Sequence, residues 1–192
     1  MIEVELEPYY RLAQQHNLLM IIDNTFLTPY LSTPLEDGAD IVLHSATKYI
    51  GGHNDVLAGV VTVKDETLAT RLDELHNMIG ATLSPFDSYL LLRGLKTLHL
   101  RVDRSEENAR LLAERCSHLD SINEVLYSGH TGMLSLRLNR NYSVAKFLEN
   151  LKICIFAESL GGTETLVTFP YTQTHADMPE PCLLYTSPSP RD

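Results

Sequence analysis

Two apolar runs, each leading into a chemically capable side chain, constrain this chain more than any other feature. The first is Leu18-Leu19-Met20-Ile21-Ile22, followed at once by Asp23-Asn24-Thr25-Phe26. The second is Ile41-Val42-Leu43 after Asp40, followed by His44-Ser45-Ala46-Thr47-Lys48-Tyr49-Ile50-Gly51-Gly52-His53-Asn54-Asp55. Short continuous apolar runs bounded by turn residues read as buried strands of a parallel sheet. Parallel strands finish on one edge of the sheet, and open α/β folds place their ligands there. The pattern therefore sends Asp23 and Lys48 to one edge. Taken alone, Lys48 would be a surface lysine in a strand-to-loop turn, and Asp23 a turn cap. Together they have a chemical use.

An aspartate and a lysine on one sheet edge are what pyridoxal 5'-phosphate demands. The amine forms a Schiff base with the cofactor aldehyde, and an anion facing the pyridinium nitrogen keeps it protonated, so that the ring accepts electrons. Three ordered blocks carry the argument further: D-N-T-F at 23–26, S-A-T-K-Y-x-G-G-H-x-D at 45–55 and E-S-L-G-G-x-E-T-L at 158–166. With these blocks the chain resembles the Cys/Met-metabolism family of pyridoxal-phosphate enzymes. That resemblance implies an α/β chain of the fold type I, aspartate aminotransferase-like class, with a mostly parallel sheet flanked by helices and part of a small α+β C-terminal domain. It implies that Lys48 holds the cofactor and later shuttles protons, that Asp23 faces the ring nitrogen, and that Ser45 and Thr47 bind the phosphate. It further implies that Ser159 helps to bind the substrate carboxylate and steadies Lys48, with Glu158 placed to meet the incoming amino acid. On the bare residues, Ser45 and Thr47 are also ordinary turn hydroxyls, and 158–162 a glycine-containing turn after a strand.

Composition excludes several other classes. Of 192 residues, 44% are hydrophobic and 21% charged, as in an ordinary globular protein. A net charge of -10 argues against a nucleic-acid or anionic-membrane surface. No apolar run reaches the roughly 18 residues of a membrane span, and the cytoplasm is the expected compartment. Cys116, Cys154 and Cys182 are too few and too scattered for a disulfide framework or a zinc site. His44, His53, His76, His130 and His175 lack metal-ligand spacing, so no metal is expected.

The remaining periodicities place elements around the two runs. A helix is expected over Glu3–His16, stopped by Asn17, and a short one opens at Pro34 with Thr33 as its cap and Gly38 closing it. Leu57–Val63 reads as another strand. Asp65 caps a helix whose Leu68, Leu72, Leu75 and Ile79 step at helical spacing, a core stripe. Ser84-Pro85-Phe86-Asp87 starts a further helix that Gly94 is placed to break. From Leu98 to about His118 a long helix mixes Arg101, Arg104, Arg110 and Arg115 with acids, the pattern of a solvated face. Strands at 122–126 and 132–138, a helix carrying Val144, Phe147, Leu148 and Leu151, and a strand at 153–156 make the α+β part. The expected boundaries are 1–113 for part of the cofactor domain, 114–180 for part of the small domain, and 181–192 for a tail without helix or strand period. That tail resembles a translated sequencing-adapter sequence; a native Ser/Pro-rich flexible terminus is the other reading.

Within the family, the passage from V-L-Y-S-G to H-T-G-M-L-S omits a P-G-x-x-x-H-x-x-H segment that most relatives carry. Together with G-G-H-N-D and T-Q-T-H, the omission resembles the compact bacterial cystathionine γ-synthase type that also acts as an O-acetylhomoserine sulfhydrylase. The implied substrates are O-acylhomoserine, cysteine and cystathionine, in a homo-oligomer built as a dimer of dimers. Cystathionine β-lyase is the alternative chemistry, and an inactive remnant or assembly partner the alternative class. The family's phosphate turn and ring-stacking tyrosine lie upstream of Met1 and its carboxylate-binding arginine lies beyond Glu180, so the chain is expected to be a segment that is not competent alone.

Overall fold

In a computed structural model, residues 4–173 are described, and they divide into two units, Val4–Arg101 and a second that starts at Val102. The first opens with α1 (Glu7–His16), which tolerates Pro8 in its first turn and ends where Asn17 turns left-handed at φ 52°. The helix was expected from Glu3; Glu3 lies outside the described residues, but residues 4–6 are not helical, so the start is corrected to Glu7. Strand β1 (Ile21–Asp23), the short helices α2 (Thr28–Leu31) and α3 (Pro34–Asp37), and strand β2 (Ile41–Ser45) follow. β1 and β2 are parallel, with Ile21 opposite Ile41 and Asp23 opposite Leu43. Their entry is pinned by Asp40, whose carboxylate accepts from the Met20 N–H at 2.7 Å.

Strand β3 (Gly59–Val63) returns antiparallel to β2, with Ser45 opposite Gly59, and the order is β1-β2-β3. Only the central strand is well buried. Val42 packs with Tyr10 and Ala39, and with Met20, Ile22 and Leu35 around them. The expectation of two buried runs is therefore corrected for the first: Leu18 and Leu19 are exposed, and Ile21 is 54% exposed. β1 is an edge among the described residues, paired on β2's side alone.

Helix α4 (Glu66–Ile79) begins as expected at Asp65, which accepts from the Leu68 N–H at 2.8 Å. Its stripe is not core. Leu68, Leu72 and Leu75 are half-buried and Ile79 is 73% exposed, because no second surface among the described residues closes over them. Thr33 also departs from expectation: its hydroxyl donates to the Glu36 carboxylate at 3.1 Å and caps no backbone N–H. Helix α5 (Pro85–Leu95) is capped by Ser84, which accepts from the Asp87 N–H at 3.1 Å. Gly94 does not break it. The residue is buried within α5, where a Cβ would stand 2.6 Å from the Ile50 carbonyl oxygen and closer still to that of Gly51.

Helix α6 (Leu98–Ser117) begins in the first unit and continues into the second. There β4 (Ile122–Tyr127) and β5 (Leu134–Leu138) pair antiparallel, with Arg137 and Glu124 joined across the ladder. Every β5 residue is half-buried, so its alternating chemistry is not matched by alternating exposure. The link between the two strands is held by Thr131, whose N–H meets the Glu106 carboxylate at 3.3 Å while its carbonyl accepts from the Tyr127 hydroxyl at 3.2 Å. Ser143 caps α7 (Val144–Glu149), and β6 (Ile155–Phe156) runs parallel to β7 (Leu166–Val167), a strand the sequence reading did not anticipate. Among the described residues no helix is long and apolar enough to cross a membrane. The expected tail at 181–192 lies outside the described residues.

Candidate active site

The parallel register carries Asp23 and Ser45 to the same end of the sheet, and Thr25 ties them together. Its hydroxyl donates to Asp23 Oδ1 at 2.5 Å and accepts from the Ser45 N–H at 2.7 Å, while its own N–H reaches the same Oδ1 at 3.0 Å. Asp23 is thus a turn cap, as the plainer reading held, but through one oxygen. Oδ2 makes no hydrogen bond to a described residue, and the side chain is exposed. A carboxylate fixed by one oxygen and open at the other suits a cationic N–H partner. Thr25 was not singled out from the sequence, where it stood only as part of the D-N-T-F block.

Beneath this edge Asn24 and His44 are buried. The Asn24 amide donates to the Thr28 and Ser32 carbonyls at 3.0 Å each, which folds 24–32 back against the strand end. Burial pushes the His44 ring below its ordinary pKa, and the nearby Asp23 charge opposes that shift. His44 Nδ1 is buried without a hydrogen-bond partner.

After Ser45 the chain makes a tight turn whose flanks are apolar and whose tip is Lys48. The Lys48 N–H donates to the Ser45 carbonyl at 3.1 Å, Gly51 N–H to Ala46 at 2.8 Å, and Gly52 N–H to Lys48 at 2.8 Å. Ala46, Ile50, Val56 and Leu91 form a buried cluster under the turn, and Ala46 is 0% exposed. Lys48 itself is half-buried, between the buried Ala46 and Tyr49. Thr47 serves the backbone: its hydroxyl accepts from the Ala58 N–H at 3.0 Å and donates to the Ala58 carbonyl at 3.3 Å. The Ser45 hydroxyl makes no such bond to a described residue, so of the two it is the one free to donate to a phosphate.

The turn has one more partner, and the sequence reading placed it wrongly. Arg101 does not lie on a solvated face. Its Nη1 donates to the Tyr49 carbonyl at 2.7 Å, and Nη2 to the Gly94 carbonyl at 2.7 Å and the Ile50 carbonyl at 3.5 Å. Nε donates to the Thr97 hydroxyl at 3.1 Å. Burial lowers the guanidinium pKa from its usual value, yet the group stays charged at any working pH. Gly52, at φ 73°, leaves the room: a Cβ there would sit on the Arg101 guanidinium.

Glu158 and Ser159 follow β6 in the second unit. Glu158 is exposed, and Ser159 is half-buried with φ 107°, a backbone state that a non-glycine residue holds at a cost of about 1–3 kcal/mol. Among the described residues no group of three or more His, Cys, Asp or Glu side chains could hold a metal ion.

The donor set at the sheet end and the turn after it is an open carboxylate oxygen, a hydroxyl and a half-buried lysine on a hydrogen-bonded turn. It fits pyridoxal 5'-phosphate. A family model described as Cys/Met metabolism PLP-dependent enzyme matches residues 1–183. The chain belongs to this family. It is 54% identical over 178 residues to the cystathionine gamma-synthase/O-acetylhomoserine (thiol)-lyase of Bacillus subtilis (strain 168), with 93% of this chain and 48% of that protein covered. It is 42% identical over 193 residues to a cystathionine beta-lyase of Lactococcus lactis subsp. cremoris (strain MG1363), with 92% and 51% covered. A crystal structure of cystathionine gamma synthase from Xanthomonas oryzae pv. oryzae in complex with cystathionine matches at a TM-score of 0.88 and 37% identity, over 94% of this chain and 51% of that one. The expected fold type I class is therefore correct, and the family's cofactor is pyridoxal phosphate. The chain spans about half the length of the curated relatives it matches.

Proposed function

We propose that the complete protein is a trans-sulfuration enzyme of the cystathionine γ-synthase type, working on pyridoxal phosphate. It replaces the acyloxy group of an O-acylhomoserine by the sulfur of cysteine or of sulfide. The observation that carries this reading is the sheet end itself, where Thr25 fixes Asp23 beside Ser45 and Lys48 stands on the turn that follows. The 54% identity to a γ-synthase supports the choice of reaction.

When bound, the cofactor supplies an electron sink for charge developing at the substrate's Cα and Cβ. Asp23, with Oδ1 taken by Thr25, would offer Oδ2 to the ring nitrogen and keep it protonated. Ser45 donates to the phosphate; Thr47, whose proton goes to Ala58, supports the phosphate side by fixing the turn. Lys48 Nζ would hold the cofactor and, once substrate is bound, would move protons at the substrate's Cα and Cβ. Ser159 binds the substrate carboxylate, and Glu158 meets the incoming amino acid. In the replacement the Cγ–O bond breaks and a Cγ–S bond forms, and the thiol proton leaves with the carboxylic acid. The same reading assigns 1–113 to the cofactor domain and 114–180 to the small domain, and places the protein in the cytoplasm as a dimer of dimers.

β-Lyase chemistry is the second reading. The 42% identity to a β-lyase favours it, since every residue assigned above could serve either reaction. The test uses protein expressed from the complete reading frame. Borohydride reduction and peptide mapping should place the pyridoxyl label on Lys48, and O-acetyl- or O-succinylhomoserine with cysteine should yield cystathionine. A label on Lys64 or Lys96 overturns the site. Brisk cleavage of cystathionine to homocysteine without replacement overturns the γ-synthase assignment in favour of the lyase.

A further inference from the structure

The geometry points to Arg101 as a positioning residue for Lys48, acting through the backbone of the turn that carries it. This rests on the reading that Lys48 holds the cofactor. The Lys48 side chain leaves a turn of residues 45–52, so the placing of Nζ depends on how firmly that backbone is held. On one side the turn is fastened to β3 by Thr47 and Ala58. On the other side the Tyr49 and Ile50 carbonyls, one and two residues beyond Lys48, point at Arg101. The same guanidinium takes the Gly94 carbonyl and, through Nε, Thr97, so one rigid fork joins the turn to α5 and to the start of α6. Two glycines make the approach possible, Gly94 against the Ile50 and Gly51 carbonyls and Gly52 against the guanidinium. A half-buried cation that satisfies three carbonyls, with Gly52 leaving it room and Gly94 letting α5 close on the turn, is built to hold the turn still.

A lysine in place of Arg101 keeps the charge but offers a point donor, which cannot span the Tyr49 and Gly94 carbonyls together. The test compares wild type, Arg101→Lys and Arg101→Met, each expressed from the complete reading frame. The cofactor-free proteins report first, because the Gly51 and Gly52 amides donate within the turn and their hydrogen exchange reads its integrity. Both variants should exchange these two amides about tenfold or more faster, while Val42 and Leu43 in β2 exchange as in wild type. With cofactor added, the dissociation constant of pyridoxal phosphate should rise about tenfold. The visible absorption of the bound cofactor should shift, less in Arg101→Lys than in Arg101→Met. Lower thermal stability with unchanged Gly51 and Gly52 exchange and an unchanged absorption spectrum would make Arg101 a stability residue and overturn the inference. If neither variant folds, Thr97→Val decides: faster exchange at Gly51 and Gly52 supports the inference, and wild-type exchange overturns it. Failure of the wild-type protein to label at Lys48 would instead overturn the reading of the site, leaving the exchange result to stand by itself.

Discussion

Thr25 donates its hydroxyl proton to Asp23 at 2.5 Å, and the bond leaves the aspartate one oxygen for a ligand. The same hydroxyl receives the Ser45 N–H, so two strand ends are locked in register at the point where the chemistry is proposed. Thr25→Val keeps the shape and removes both bonds. Its expected cost is about 1–2 kcal/mol, read as roughly tenfold weaker pyridoxal phosphate binding in an absorbance titration. Unaltered binding would mean that the backbone alone orients Asp23.

Asp23→Asn should bind the cofactor yet lose most of its turnover. A neutral amide keeps the turn bonds from Thr25 but does not hold the ring proton that makes the cofactor an electron sink. Steady-state rates set beside cofactor occupancy check this, and near-normal turnover would reduce Asp23 to a cap.

Gly94→Ala places a methyl against the Ile50 and Gly51 carbonyls. Either α5 or the turn must move, at a cost of about 1–3 kcal/mol. Urea unfolding should show that loss, with the label on Lys48 reduced in parallel. A variant as stable as wild type would show that α5 can shift freely.

His44 gives the fold a dependence on pH. Burial disfavours its charged form, so the folded pKa lies below the ordinary 6.5. As pH falls through that ordinary value, the unfolded chain takes up the proton first. The contribution is whole above it and is lost as pH drops toward the folded pKa. Between about pH 7.5 and 5.5 the urea midpoint of wild type should fall more than that of His44→Gln. Equal slopes would show that His44 does not titrate in that range.

What could be read from the residues alone was the local part of the site. Asp23 and Lys48 follow short runs whose pairing is fixed by a simple βαβ pattern, so the shared edge was legible. Arg101 was not, because its acceptors are main-chain carbonyls, which carry no mark in a sequence, and its helix neighbours include true surface charges. Thr47 could be assigned from its motif to a phosphate, but whether a hydroxyl serves a ligand or the backbone depends on where Ala58 returns. The stripe ending at Ile79 had the right period. Period says which residues share a face, and nothing about what covers it.

The antiparallel return of β3 also sets an order of assembly. The lysine turn lies inside a hairpin whose strands are neighbours in sequence, and pairing of that kind closes on the order of microseconds. Its clasp, Arg101, lies 52 positions after the Tyr49 carbonyl it binds. Counted from Val63, where the hairpin is complete, a synthesis rate of about 5–20 residues per second leaves the turn waiting roughly two to eight seconds for the arginine to be made. During that interval a nascent chain already has its aspartate, serine and lysine in place but lacks the fork that steadies them. On the role proposed for Arg101, the lysine turn is held only once the start of α6 has been made, after β2 and β3 are both available to pair.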